Sequence, residues 1–179
     1  AVELAEDFES EEAEVEFSFE DMGPLASPGY SNPAPLGLNT SARVFMYQKT
    51  TGFYSNIFHV VSGYKFDLST QNKIRLKVYI PSYNDYTTEN TKAGDWISDT
   101  RLQKRVTVKL QNNELGGNAY TTQSDVSYTD LETDKWLDLT FDFSSVSTRQ
   151  DYDKIVIQFG GEGHSGTGIF FMDDFSFSE

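Results

Sequence analysis

Three segments alternate strictly between apolar and polar residues, and this period of two does most to restrict the folds open to the chain. Along 73–79, Ile74, Leu76 and Val78 fall on one side while Lys73, Arg75, Lys77 and Tyr79 fall on the other. Along 137–143, Leu137, Leu139, Phe141 and Phe143 alternate with Asp138, Thr140 and Asp142, and Ile155, Ile157 and Phe159 repeat the pattern in 154–159. Successive strand side chains point to opposite faces, so each run reads as a strand with one core face and one wet face. Helical periodicity is hard to find. The same reading expects strands at 6–9, 16–19, 42–47, 56–61, 73–79, 105–110, 125–128, 137–143, 154–159 and 169–177. Two such sheets packed face to face cover every apolar face, which predicts an all-β antiparallel β-sandwich. Asn112-Asn113, Gly116-Gly117, Gly160-Gly161 and the glycine-rich 163–168 supply turn chemistry between strands. With 179 residues and no internal repeat or polar linker, the expectation is one domain over 1–179.

Two segments break the rhythm. Residues 24–39 carry Pro24, Pro28, Pro33 and Pro35 with Gly29 and Gly37, and read as a long ordered crossover or rim loop. Residues 82–104 hold Tyr83, Tyr86 and Trp96 amid Asn, Asp and Thr. Loops of this length in compact domains are usually functional or disordered, and the aromatics favour function.

Charge narrows the partners. Asp and Glu number 28 against 14 Lys and Arg, a formal net charge of -14. That field repels polyanions, so nucleic acid is excluded as the expected partner and neutral glycans are favoured over acidic ones. Cysteine is absent, which removes thiolate chemistry and sulfur-based metal sites. No window resembles a membrane-spanning helix, so no membrane insertion is expected, and the first residue, Ala1, suggests a processed or excised fragment.

Several pieces, in order along nearly the whole chain, resemble the jelly-roll carbohydrate-binding modules of bacterial glycan-degrading enzymes and surface glycan-binding proteins. They are Asp7-Phe8-Glu9-Ser10, Ser31-Asn32-Pro33 with Gly37-Leu38-Asn39-Thr40-Ser41, and Lys77-Val78-Tyr79-Ile80-Pro81. Val106 to Leu110, Trp136 to Phe143 and Phe170-Phe171-Met172-Asp173-Asp174-Phe175 continue the series. The resemblance implies a galactose-binding-like jelly roll that binds sugar, often with a structural calcium where the first and last strands meet. It also implies a secreted or bacterial cell-surface location and attachment to other domains. The chain departs from the pattern at 82–104, where such domains need only a tight turn.

Calcium takes six to eight oxygen ligands, so it needs acids brought together from distant segments. Glu9 on the first strand and Asp173-Asp174 on the last fit that need; by analogy with the family, Asp174 is favoured over Asp173. Asp21 and Asn32 are further possible oxygen donors. Sugar rings present flat C–H faces to aromatic plates, while polar side chains orient their hydroxyls. Phe53, Tyr54, Tyr83, Tyr86 and Trp96 are the candidate plates, and Asn56, Asn84, Asp95 and Arg101 the candidate hooks. Trp136 and Tyr152 read as structural.

Catalysis has no positive sign. A glycosidase needs two carboxyls held roughly 5 to 9.5 Å apart across a cleft, and no pattern singles out such a pair. His59 and His164 lack zinc-ligand spacing, no Gly-x-Ser-x-Gly elbow occurs, and the 160–168 loop lacks the Lys-Ser/Thr ending of a phosphate loop. The resulting expectation is a non-enzymatic, calcium-stabilised module that binds a polysaccharide, with a neutral laminarin-like β-glucan as first candidate. A lyase or hydrolase on the same scaffold, or a structural or adhesive spacer without sugar binding, are the alternatives.

Overall fold

The computed structural model describes residues 1–22, 26–91, 97 and 99–179. Eleven described strands form two sheets, and every described pairing between them is antiparallel. In the first sheet the order is β3 (Ala26–Ser31), β4 (Arg43–Lys49), β11 (Gly168–Ser178), β6 (Lys73–Tyr79) and β9 (Trp136–Asp142), with β1 (Leu4–Glu6) also on β11. In the second the order is β2 (Ser18–Glu20), β5 (Asn56–Val60), β10 (Lys154–Phe159), β7 (Val106–Gln111) and β8 (Ser124–Tyr128). This is the jelly-roll sandwich that the alternation and the resemblance imply.

The core lies between the sheets. Ile74, Leu76 and Val78 of β6 pair with Phe141, Leu139 and Leu137 of β9, and this surface packs in one cluster with Val106, Val108, Leu110, Ile155, Ile157 and Phe159 from the second sheet. Burial of each large apolar side chain contributes about 1.5–3 kcal/mol before chain entropy is charged against it. β6 and β10 begin and end where the alternation places them.

The first strand spans Leu4–Glu6, so Glu9, expected on it, lies in the loop that follows. Three further features differ from the expectation. The proline-rich segment contains a strand: β3 pairs with β4 on the sheet edge, where the missing N–H of Pro28 costs no ladder bond to a second neighbour. Its register shifts between Ser27 and Tyr30, with Gly29 at a φ of +70°. Secondly, 3-10 turns over Asn113–Thr122 follow β7, with Gly116 at a φ of +54° breaking the run. Thirdly, Met172 and Phe175 both face the core although three positions apart. A bulge between Asp173 and Ser176 makes this possible, and Asp174 takes the left-handed conformation there at a φ of +47°.

Trp136 is buried, as a structural residue should be, but on the outward side of the first sheet. It clusters with Val44 and Phe171, and its Nε1 donates to the Ala34 carbonyl at 3.0 Å. Asn32 secures the same loop: its Nδ2 donates to the carbonyls of Asn39 and Ser41, and its Oδ1 accepts from the Ala34 N–H. Tyr152 is fully buried, its hydroxyl donating to the Thr122 carbonyl.

Candidate functional site

The outward face of the second sheet is unusually shielded. With Val106, Val108, Leu110, Ile155, Ile157 and Phe159 turned to the core, strand alternation turns Thr107, Lys109, Gln111, Lys154, Val156 and Gln158 outward. All six are only 3–8% exposed. No further described strand belongs to this sheet, so the shielding comes from the side chains themselves and from neighbouring loops; we term this face the trough. Register aligns its contents in rows: Val156 beside Lys109 and Phe58, Gln158 beside Thr107, and Thr107 beside Ser127. The floor is therefore polar with an apolar strip of Phe58 and Val156.

Polar groups in the trough are held in set orientations. Lys109 Nζ lies 3.2 Å from Glu162 Oε2, Gln158 Nε2 donates to the Ser55 carbonyl at 3.1 Å, and Thr107 and Ser127 share a hydroxyl bond of 2.7 Å. The Lys154 ammonium sits 4.5 Å from the Phe58 ring centroid. Two buried polar atoms have no partner: Oδ1 of Asn56 at the start of β5, and Nε of Arg105 just before β7. Buried polar groups are nearly always paired in protein or with water, and these two have no protein partner.

One end of the trough is closed by three loops. The Gly163 N–H donates to the Phe53 carbonyl at 2.8 Å, joining 52–54 to 160–166. The 82–104 segment joins through Asp99 N–H to the Glu162 carbonyl, Gln103 N–H to the Gly160 carbonyl and Ser165 N–H to the Asn90 carbonyl. Leu102 anchors it by lying where a Cβ on Gly160 or Gly168 would stand, 2.7 and 2.8 Å from its methyls. Arg105 bonds Asp99 at 2.8 Å.

Lys49 ties this end together. Fully buried, its Nζ lies 2.6–3.3 Å from the carbonyls of Thr50, Gly52, His164 and Gly166. Burial pulls its ammonium down to about 8, against the opposing pull of the Asp21 carboxylate. His164 is equally buried: its Nε2–H donates to the Gly160 carbonyl, and its Nδ1 accepts from the Gly166 N–H. That arrangement needs the neutral ring, and burial lowers its pKa in the same direction. His164 is thus a loop brace.

The expected plates and hooks separate by position. Phe53 and Tyr54 stand at the closed end, Tyr54 46% exposed, with ring centroids 6.5 Å apart, and Asn56 lies beside them with Nδ2 bonded to the Tyr54 carbonyl. Tyr86 anchors its own loop, its hydroxyl donating to the Pro81 carbonyl at 2.6 Å. Asn84 likewise holds the backbone of Ile169 through both its amide atoms. Arg101 is exposed on the segment that Leu102 anchors. Tyr83 is exposed and shares its surroundings with Tyr30 and Tyr79 of the first sheet. Trp96 and Asp95 lie outside the described residues. Sequence reading did not find Lys109, Gln158 or Arg105, because outward polar residues on a strand look solvated until the loops are in place.

The acids divide similarly. Asp174 pairs with Lys77 at 2.7 Å. Asp173 is fully buried; its Oδ2 accepts from Asn39 Nδ2 at 2.8 Å and Ser41 Oγ at 2.6 Å, while its Oδ1 is buried without a partner. Burial pushes its carboxyl up to about 6. Glu9 reaches the same 41–43 segment, its Oε1 accepting from the Arg43 N–H at 3.4 Å. An orphan carboxylate oxygen suits a hard, oxygen-preferring cation. Among the described residues no three His, Asp or Glu side chains converge, so other ligands would have to be carbonyls, hydroxyls or water. Asp21 braces a loop, accepting from the Tyr54 N–H, and Asn32 is committed as described above.

No family model matches the chain, and no curated protein matches it in sequence. Solved structures do match in fold, and most of these neighbours are carbohydrate-binding modules. The CBM27-1 module of Caldicellulosiruptor saccharolyticus, solved with mannohexaose, superposes with a TM-score of 0.56 at 11% identity, covering 99% of this chain and 97% of that one. The xylan-binding CBM22-2 domain of Paenibacillus barcinonensis Xyn10C gives 0.54 at 11% identity over 98% and 99%. The K2 cleaved adhesin domain of Lys-gingipain gives 0.54 at 10% over 99% and 98%. At such identities the likeness establishes the shared fold. No helix among the described residues is long and apolar enough to cross a membrane.

Proposed function

We propose that this chain binds a polysaccharide without cleaving it, in the trough on the outward face of its second sheet. The observation that carries this is a polar floor whose donors and acceptors, among them Thr107, Lys109, Ser127 and Gln158, lie in rows across three strands. A sugar hydroxyl both donates and accepts, so one ligand class matches such a floor. Tyr54 offers an exposed ring at the closed end, and the Phe58–Val156 strip a surface for C–H faces. Fold neighbours solved as xylan-binding or mannohexaose-bound modules support the same reading. The net charge of -14 favours a neutral chain, and a laminarin-like β-glucan is the first candidate.

The reading includes a structural calcium ion held by Asp173 and Glu9. Bound there, the ion would neutralise the buried Asp173 carboxylate and tie β11 to the segments that carry Glu9 and Ser41. Asp174, already paired with Lys77, takes no part in this version of the site. A module of this kind raises the local substrate concentration for an attached domain, in keeping with a secreted or cell-surface protein of several domains.

Affinity electrophoresis through gels containing laminarin, xylan, mannan or galactan provides the test, run with calcium and with chelator. Retardation by at least one glycan without release of reducing ends is expected, and Tyr54→Ala/Lys109→Ala should weaken it about tenfold or more. Indifference to every glycan rejects the function, and release of reducing ends would favour a lyase or hydrolase.

A further inference from the structure

Three tyrosines on the opposite side of the sandwich are arranged differently from those that build the fold. Tyr47, Tyr86, Tyr128 and Tyr152 each donate their hydroxyl to a backbone carbonyl, of Ser55, Pro81, Thr140 and Thr122 respectively. The hydroxyls of Tyr30, Tyr79 and Tyr83 have no partner among the described residues. Tyr30 is 44% and Tyr83 66% exposed. Beneath them, Phe171 and Trp136 form a buried aromatic base: Tyr30 to Phe171 is 5.9 Å between centroids, Tyr79 to Phe171 6.2 Å, and Tyr79 to Trp136 5.5 Å.

The three phenols and a carboxylate share one patch. Partial desolvation, and then the neighbouring Tyr30, Tyr79 and Asp134, hold the Tyr83 phenol above its ordinary pKa. Asp134 is kept in place by Ser82, whose N–H and hydroxyl both donate to it. Strand register accounts for the base: β11, β6 and β9 set Phe171 opposite Tyr79 and Tyr79 opposite Trp136, and the loop carrying Ala34 caps the last of these.

We infer that this aromatic patch of Tyr30, Tyr79 and Tyr83 is a second saccharide-contact surface, selective for a neutral glycan and separate from the trough. An apolar protein partner laid on it would strip water from three phenol hydroxyls and the Asp134 carboxylate without replacing their hydrogen bonds, a costly exchange. A sugar chain supplies C–H faces for the rings and hydroxyls for the polar atoms. The Asp134 carboxylate, in a chain of net charge -14, disfavours an anionic chain. Because the two surfaces lie on opposite faces of the sandwich, one module bearing both joins two polysaccharide chains.

This inference rests on the polysaccharide-binding reading, and the experiment separates the two. The intact chain is mixed with a glycan that retards it, and cross-linking is followed by light scattering alongside gel retardation. Tyr30→Ala/Tyr83→Ala should abolish the scattering while lowering retardation less than threefold; Tyr54→Ala/Lys109→Ala should abolish scattering and remove most of the retardation. All three variants alter one pair of side chains outside the core, and circular dichroism checks their folding. Tyr30→Phe/Tyr83→Phe should retain partial cross-linking, since the rings remain. Scattering unchanged by Tyr30→Ala/Tyr83→Ala overturns the second surface and leaves the trough intact, as does a change confined to self-association in sedimentation. A wild-type chain that no glycan retards overturns both.

Discussion

Replacing Lys49 with Met tests how the closed end of the trough is held. The substitution keeps an unbranched side chain of similar length and removes the ammonium from among four carbonyl oxygens. Gly52 O retains the Ser55 hydroxyl at 3.0 Å, so the oxygens of Thr50, His164 and Gly166 bear the loss. A buried acceptor left unsatisfied costs about 1–3 kcal/mol, and the variant recovers part of the cost of burying a charge. The net expectation is about 3–5 kcal/mol of lost stability, a large share of a typical domain's total. Urea unfolding followed by tryptophan fluorescence measures this directly, with the slope checked so that a midpoint shift is read as stability. The 164–166 loop also carries the wall beside Phe53, so the folded fraction of the variant should bind glycan more weakly. A loss below about 1 kcal/mol would refute the view of Lys49 as the clamp of this end.

Two further predictions concern pH and metal. The pKa of His164 is lower folded than unfolded, so its contribution to stability is complete above about 6.5 and is lost as pH falls through the folded value. Wild type should therefore lose stability towards pH 5 by as much as about 1.4 kcal/mol per unit from this group, and His164→Gln should lack that component in urea titrations. Asp173 works in the opposite sense. Its carboxyl is raised from 3.8 to about 6, so its contribution is complete below 3.8 and is lost as pH rises through 6. In chelator at pH 7.5, Asp173→Asn should consequently be more stable than wild type, by up to about 3 kcal/mol. Calcium should then raise the melting temperature of wild type but not of Asp173→Asn; an equal rise in both would remove Asp173 from the metal site.

Much of the architecture was legible because core-facing alternation is a local property. Lys73–Tyr79 and Lys154–Phe159 are strands from end to end, and Ile74, Leu76, Val78, Ile155, Ile157 and Phe159 face the core. Alternation said nothing about what stands over the other face. Lys154, Val156 and Gln158 read as wet, yet are shielded, because whether a polar face is open or walled depends on loops from 52–54, 99–105 and 160–166. β3 was hidden by Pro28, whose incompatibility with a central strand does not extend to an edge.

The carboxylates at 173 and 174 mark the boundary most clearly. Calcium's coordination needs and the family resemblance pointed to a pair of acids on the last strand as partners for Glu9. Which of the two is buried depends on a bulge that resets the side-chain period at Asp174, sending that residue to Lys77 and leaving Asp173 with an unpartnered oxygen. The two-sheet sandwich and its core follow from the spacing of apolar residues along single strands. The trough, the Lys49 clamp and the uncommitted tyrosine hydroxyls emerge on folding, because each depends on which groups from distant segments do or do not meet.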